Sequence, residues 1–158
     1  MFITSTINLD IMEKQILNLD SEFFTLAEFV KSSTAEKNKI NNDPDAEVLK
    51  NLQYGVDMVL DPLRRLAGMP IIITSGYRCQ RLNKLVGGVP NSWHKIGCAA
   101  DIRVNDEKDA LYKFNLLKSI PSVDTCLFEH SKSSCWLHVQ WSRTKSPRHH
   151  FNFNYVAL

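Results

Sequence analysis

The chain has 158 residues, 44% of them hydrophobic and 23% charged, with a net charge of +2, a pI near 8.3 and a mean hydropathy of -0.22. That composition suits one globular domain spanning residues 1–158 and excludes a disordered chain. So small a net charge gives no electrostatic case for nucleic acid, and no apolar run reaches the length of a membrane span.

Residues Met1 to Lys14 carry no basic start followed by an apolar stretch. Synthesis in the cytoplasm without a secretory signal is expected, with any exit by lysis or through a partner. Cys79, Cys98, Cys126 and Cys135 form no C-x-x-C pair, so separate reduced thiols are expected. A short helix is predicted to begin at Thr25, because Glu28 three residues on completes a capping box. Residues 31–43 read as a polar loop. Asp43-Pro44 opens a longer helix, proline being tolerated in a first turn. In it Leu49, Leu52, Val56, Val59, Leu60, Leu63 and Leu66 form one apolar face, and Gly68 and Pro70 end it.

Ile71-Ile72-Ile73-Thr74 is a β-branched run and reads as a buried strand. Ser75-Gly76-Tyr77 turns the chain, and a short helix from Cys79 to Val86 stops at Gly87-Gly88. A second strand is predicted over 98–104 and a helix over 107–119, with Leu111, Phe114 and Leu117 inward. Strands near 123–129 and 135–141 flank a polar turn at Ser131–Ser134. The tail after 142 carries no element signal. Helices followed by clustered strands predict an α+β fold, with helices packed on a small antiparallel sheet.

The chemistry concentrates in Ser92-Trp93-His94-Lys95-Ile96-Gly97-Cys98-Ala99-Ala100-Asp101 and in Trp136-Leu137-His138-Val139. Glycine and small residues let a turn pass close to an ion and lead into a strand bearing Asp101. Imidazole nitrogens and a carboxylate oxygen are the donors zinc takes, and three of them leave a fourth position for water. Spacing alone also fits a packed histidine and a strand-end carboxylate. His130 and the His149-His150 pair have no partner at a metal spacing and are assigned to loop and tail. Trp93 and Trp136 read equally as groove lining or as core.

These segments carry a resemblance. Ser75-Gly76-Tyr77-Arg78, Asn83, Gly87-Gly88, the block from Ser92 through His94, Gly97 and Ala99 to Asp101, and Trp136-x-His138 together resemble the zinc D-alanyl-D-alanine carboxypeptidase family. That family shares a superfamily with lysostaphin-type endopeptidases and the hedgehog signalling domain. Upstream, Phe24-Thr25-Leu26-x-Glu28-Phe29, Ser33, Asn42 and Leu63-Arg64 are similar to a cell-wall-peptidase branch. The resemblance covers residues 24–141 and leaves 142–158 as a tail.

It implies one zinc ion held by His94, Asp101 and His138, with Arg78 binding substrate and offsetting charge on the attacked carbonyl. Ser92 is assigned to substrate or to orienting a ligand, a turn serine being the plainer alternative. The chain departs from the family where several branches carry a carboxylate three residues before the last histidine. Cys135 stands there, and a thiol is a poor base for this task. Glu129 is the expected general base, because a hairpin centred on Ser131–Ser134 pairs it with Trp136, diagonal to His138. A register shift of one residue would turn it to the other face. Asp124 is expected to brace a histidine contact or to be structural.

The resulting expectation is a monomeric zinc peptidase cutting peptidoglycan stem peptides or crosslinks as a D,D-carboxypeptidase or endopeptidase, released at lysis. Its rivals are a non-catalytic zinc-stabilised binding module and a cytoplasmic D-Ala-D-Ala dipeptidase.

Overall fold

The computed structural model describes residues 18–154; the leaderless reading of Met1 to Lys14 and the last four residues of the tail lie outside them. Helices α1 (Leu26–Val30) and α2 (Ser33–Lys37) come first. Thr25 N–H donates to Glu28 Oε2 at 2.8 Å, so the predicted capping pair starts α1. Helix α2 falls where a loop was expected; Ser32 accepts from Ala35 N–H and caps it.

The long helix starts two residues later than predicted, at Ala46, because Asp45 rather than Asp43 accepts from Val48 N–H. It runs as α3 (Ala46–Gly55), a π turn (Val56–Leu60) and α4 (Asp61–Ala67), which Gly68 ends in the left-handed region at φ 65°. The wide turn lies just before Pro62, whose ring and missing N–H an unbroken α-helix would not accommodate. Along this rod Leu52, Val56, Val59, Leu60 and Leu63 are fully buried, whereas Leu66 is exposed.

Five strands follow the order β1 (Ile73–Ser75), β2 (Ala99–Arg103), β4 (Cys135–Gln140), β3 (Thr125–His130) and β5 (His150–Asn152). The first four are joined antiparallel, as predicted. The fifth is a correction: the tail returns and adds β5 parallel to β3. His150 therefore begins a strand, and His130 ends one. Helix α5 (Gln80–Leu85) and a 3₁₀ turn (Trp93–Ile96) bridge β1 and β2, and α6 (Glu107–Lys118) bridges β2 and β3.

The sheet has two chemically different faces, as a period of two demands. Ala100, Ile102, Cys126, Phe128, Leu137 and Val139 join the core with α3, the π turn, α4 and α6. Inward on α6 are Ala110, Lys113, Phe114 and Leu117, while Leu111 is 45% exposed, against expectation. Lys113 takes a buried position because its Nζ reaches Asp109 Oδ2 at 2.9 Å and Arg103 O at 3.0 Å. Cys98 and Cys126 are small core residues, as expected, and all four cysteines are free. The tail docks through Phe153, stacked on Phe128 at 4.6 Å, and through Phe151 against Phe114. No helix of the described residues is long and apolar enough to cross a membrane.

Candidate metal centre

The opposite face of the sheet carries the polar side chains. Asp101 on β2 and His138 on β4 are direct cross-strand partners, so the pairing itself brings a carboxylate and an imidazole together. His138 Nδ1 donates to Asp101 Oδ1 at 2.8 Å. His94 arrives from the 3₁₀ turn and is 1% exposed. Its Nδ1–H donates to Gly76 O at 2.6 Å, which leaves the Nε2 lone pair turned inward, 3.4 Å from Asp101 Oδ1 and 3.3 Å from His138 Nδ1.

Among the described residues these three form the group able to hold a metal ion, their donor atoms lying within 4.8 Å of one another. The chemistry fits zinc. Ligand bonds of about 2.0–2.1 Å at tetrahedral angles put donor atoms about 3.3–3.4 Å apart, and two of the three separations have that length. The shorter His138–Asp101 contact carries a proton between the two atoms. Burial alone would push the Asp101 carboxyl up, but the imidazoles of His94 and His138 outweigh it and hold the carboxyl well below the usual carboxylate range. An ionised carboxylate with an inward imidazole lone pair could hold a cation.

A cavity of about 320 Å³ opens over the trio, lined also by Arg78, Ser92, Trp93, Glu129, Trp136 and Gln140. Glu129 and Trp136 are register partners, the alignment that sequence reasoning required, so Glu129 and His138 share a face. Trp136 Nε1–H donates to Glu129 Oε2 at 2.7 Å, which anchors one carboxylate oxygen at the cavity wall. Cys135 borders a separate cavity beside Val104, Asn105 and Ser133.

Arg78 is set by the turn after β1. Its N–H donates to His94 O at 3.2 Å, which ties the turn to the ligand segment. Asn42 clamps both flanks, donating to Tyr77 O at 3.0 Å and accepting from Cys79 N–H at 2.8 Å. Burial lowers the guanidinium pKa, against the pull of Asp101 and Glu129. Its Nε is buried with no hydrogen-bond partner among the described residues. A buried donor without a partner is rare in folded proteins. Ser92 is 8% exposed at the start of the 3₁₀ turn and makes no side-chain cap bond. Both tryptophans line the cavity, and Trp93 also packs on the core.

Of the two roles expected for Asp124 the structural one holds: its carboxylate binds an arginine rather than a histidine. It holds Arg148, at 2.6 Å from Nη2. The tail is thus tied to the domain by two arginines, Arg148 on Asp124 and Arg143 on Glu47 at 2.9 Å. Sequence reasoning missed Arg148 and Gln140, which no local pattern marks. Gln140 Nε2 lies 2.8 Å from His138 Nε2.

The sequence profile of the family described as Peptidase M15 matches residues 22–140. No curated protein matches the chain.

Proposed function

The chain belongs to the Peptidase M15 family, a family of zinc peptidases, and we propose that it hydrolyses peptide bonds in peptidoglycan stem peptides or crosslinks. His94, Asp101 and His138 are the residues that would hold one zinc ion. When bound, zinc supplies a Lewis acid and a water acidified enough to lose its proton near neutral pH.

The other steps belong to this chain's own side chains. Glu129 accepts the proton of the attacking water and returns it to the departing amine. Its anchored Oε2 leaves Oε1 as the working atom. Arg78 donates to the carbonyl oxygen as negative charge develops there, which only an oriented donor stabilises without reorganisation. Ser92 and the two tryptophans flank the peptide. A second cavity of about 660 Å³ shares Arg78 and Asp101 with the first and is bordered by Lys31, Thr74, Tyr77 and Arg103, so a peptide has room on both sides of the arginine.

The observation that carries this reading is the convergence of Glu129, Arg78 and the His-Asp-His group on one cavity. A carboxylate supplied from β3 replaces the one lacking at Cys135, which supports a catalytic over a purely structural metal site. Release at lysis and action on the wall belong to the same proposal. The test is hydrolysis of purified peptidoglycan and of free D-Ala-D-Ala by the wild type, Glu129→Gln and His138→Ala. Turnover of the polymer by the wild type alone supports the proposal. Zinc-loaded wild type inert on both substrates overturns it, and cleavage of the dipeptide alone favours the dipeptidase.

A further inference from the structure

Residues 141–158 lie beyond the family match, yet one of them meets Gln140, the neighbour of His138. Arg148 lies on the buried Asp124, its Nη2 at 2.6 Å and Nε at 3.0 Å from Oδ2. Its backbone N–H donates to the other carboxylate oxygen at 2.9 Å, and its guanidinium sits 5.6 Å from the Trp93 ring centre. Fixed in this way, Nη2 also donates to Thr125 Oγ1 at 3.0 Å and to Gln140 Oε1 at 3.2 Å.

An arginine has donors only, so the amide atom that faces it must be the oxygen. That settles the far side of the Gln140 amide. Its Nε2, a donor only, lies 2.8 Å from His138 Nε2, which must therefore accept. The single proton of a neutral His138 ring is left on Nδ1, where it donates to Asp101 Oδ1 at 2.8 Å.

This arrangement opposes metal. Nδ1 is the nitrogen that faces His94 Nε2 and Asp101, so it is the one a metal would take. A ligating histidine donates through its other ring N–H, commonly to a carboxylate or carbonyl oxygen. Here that N–H would meet the Gln140 N–H head on. Turning the amide over relieves the conflict but sets its N–H against Arg148.

We infer that Arg148 and Gln140 form a latch that holds His138 in the tautomer of the metal-free site and thereby weakens zinc binding. The inference rests on the proposed reading of His138 as a ligand. Both are positioning residues that act through His138, and the tail sets the affinity of a site it never touches.

Two measurements on the full chain test it: zinc affinity by chelator competition, and ¹⁵N chemical shifts of the His138 ring in metal-free protein. Metal-free wild type is expected to carry the proton on Nδ1. Gln140→Glu accepts from both His138 and Arg148 and is expected to bind zinc about tenfold tighter or more. Gln140→Met removes the opposing donor without adding charge, and is expected to tighten binding about two- to tenfold, the worth of one hydrogen bond. A merely structural Gln140 predicts equal or weaker binding in both variants. Protonation of metal-free wild-type His138 on Nε2, or zinc binding by Gln140→Met no tighter than wild type, overturns the latch. The ring shifts need no metal, so they report the wiring separately. Wild type that binds no zinc sinks the metal reading and the latch with it.

Discussion

Glu129 and Trp136 face each other across the β3–β4 hairpin, and the indole Nε1–H holds Glu129 Oε2 at 2.7 Å. The hairpin register thus fixes the Glu129 side chain through one oxygen and leaves the other without a hydrogen bond among the described residues. Glu129→Gln keeps the shape and loses the base, and is expected to lower kcat about 10²–10⁴-fold with zinc content unchanged. Trp136→Phe keeps the ring and loses the donor. A fall in kcat of about tenfold to a hundredfold, with KM little altered, is the expected mark of a misplaced base. Equal kcat in wild type and Trp136→Phe would show that the hydrogen bond has no part in the reaction.

Arg78 Nε is buried and unpartnered among the described residues, beside Asp101 and Glu129 in the same cavity. In the proposed reaction this guanidinium serves the transition state, and its substitution tests that role. Arg78→Met is expected to reduce kcat about 10²–10³-fold, the usual cost of one oriented donor to a developing oxyanion. Arg78→Lys should recover little of it, since an ammonium lacks the planar fork. Zinc content measured alongside separates this from loss of the metal. Full activity in Arg78→Met would remove the arginine from the mechanism.

Much of this site is legible in the sequence because it lies on short-period elements. Alternation places Asp101 and His138 opposite their apolar neighbours, and a four-residue turn fixes the register that pairs Glu129 with Trp136. What is not legible depends on partners distant in sequence. Arg148 meets Asp124 across 24 residues, and no periodicity in 142–158 announces that this tail will add a strand. Helical pattern also ranks Leu111 above Lys113 for burial, yet the lysine goes inward because Asp109 and the Arg103 carbonyl satisfy it. The π turn escapes notice for a related reason: Pro62 suggests a break, and the fold keeps the rod continuous by widening one turn.

Gly76 carries the carbonyl that receives His94 Nδ1–H at 2.6 Å. A Cβ there would lie 2.6 Å from both Cα and O of Phe29, backbone atoms that cannot rotate aside. Gly76→Ala must therefore shift the turn and with it the acceptor that orients His94. Weaker zinc binding by about 10–100-fold is expected, the scale seen when the outer partner of a metal histidine is lost. Overpacking adds a stability loss of about 1–3 kcal/mol. Chelator competition under conditions where the variant is folded is the measurement. Undiminished zinc affinity in folded Gly76→Ala would show that the His94–Gly76 bond does not govern the site.

Asp124 gives the protein an acid limb. Burial works to raise its pKa, and the hydrogen bonds and charge of Arg148, with Thr125, outweigh that and hold it below its ordinary value. The folded pKa is thus lower than the unfolded one, about 3.9. Above that unfolded value both states are ionised and the contribution is complete. As pH falls below it, the unfolded chain takes up a proton the folded chain refuses, so stability is lost progressively down to the folded pKa. Asp124→Asn removes this term. It is expected to be less stable at pH 7 and to show a shallower decline between about pH 4 and pH 3, measured by denaturant unfolding across that range. Because Asp124 is 2% exposed, Arg148→Met leaves a buried charge without its partner and should cost more than Asp124→Asn, on the scale of about 3–5 kcal/mol for a fully buried pair and less here, where the Arg148 side chain is 59% exposed. Parallel pH curves for wild type and Asp124→Asn would assign the acid limb to other carboxylates.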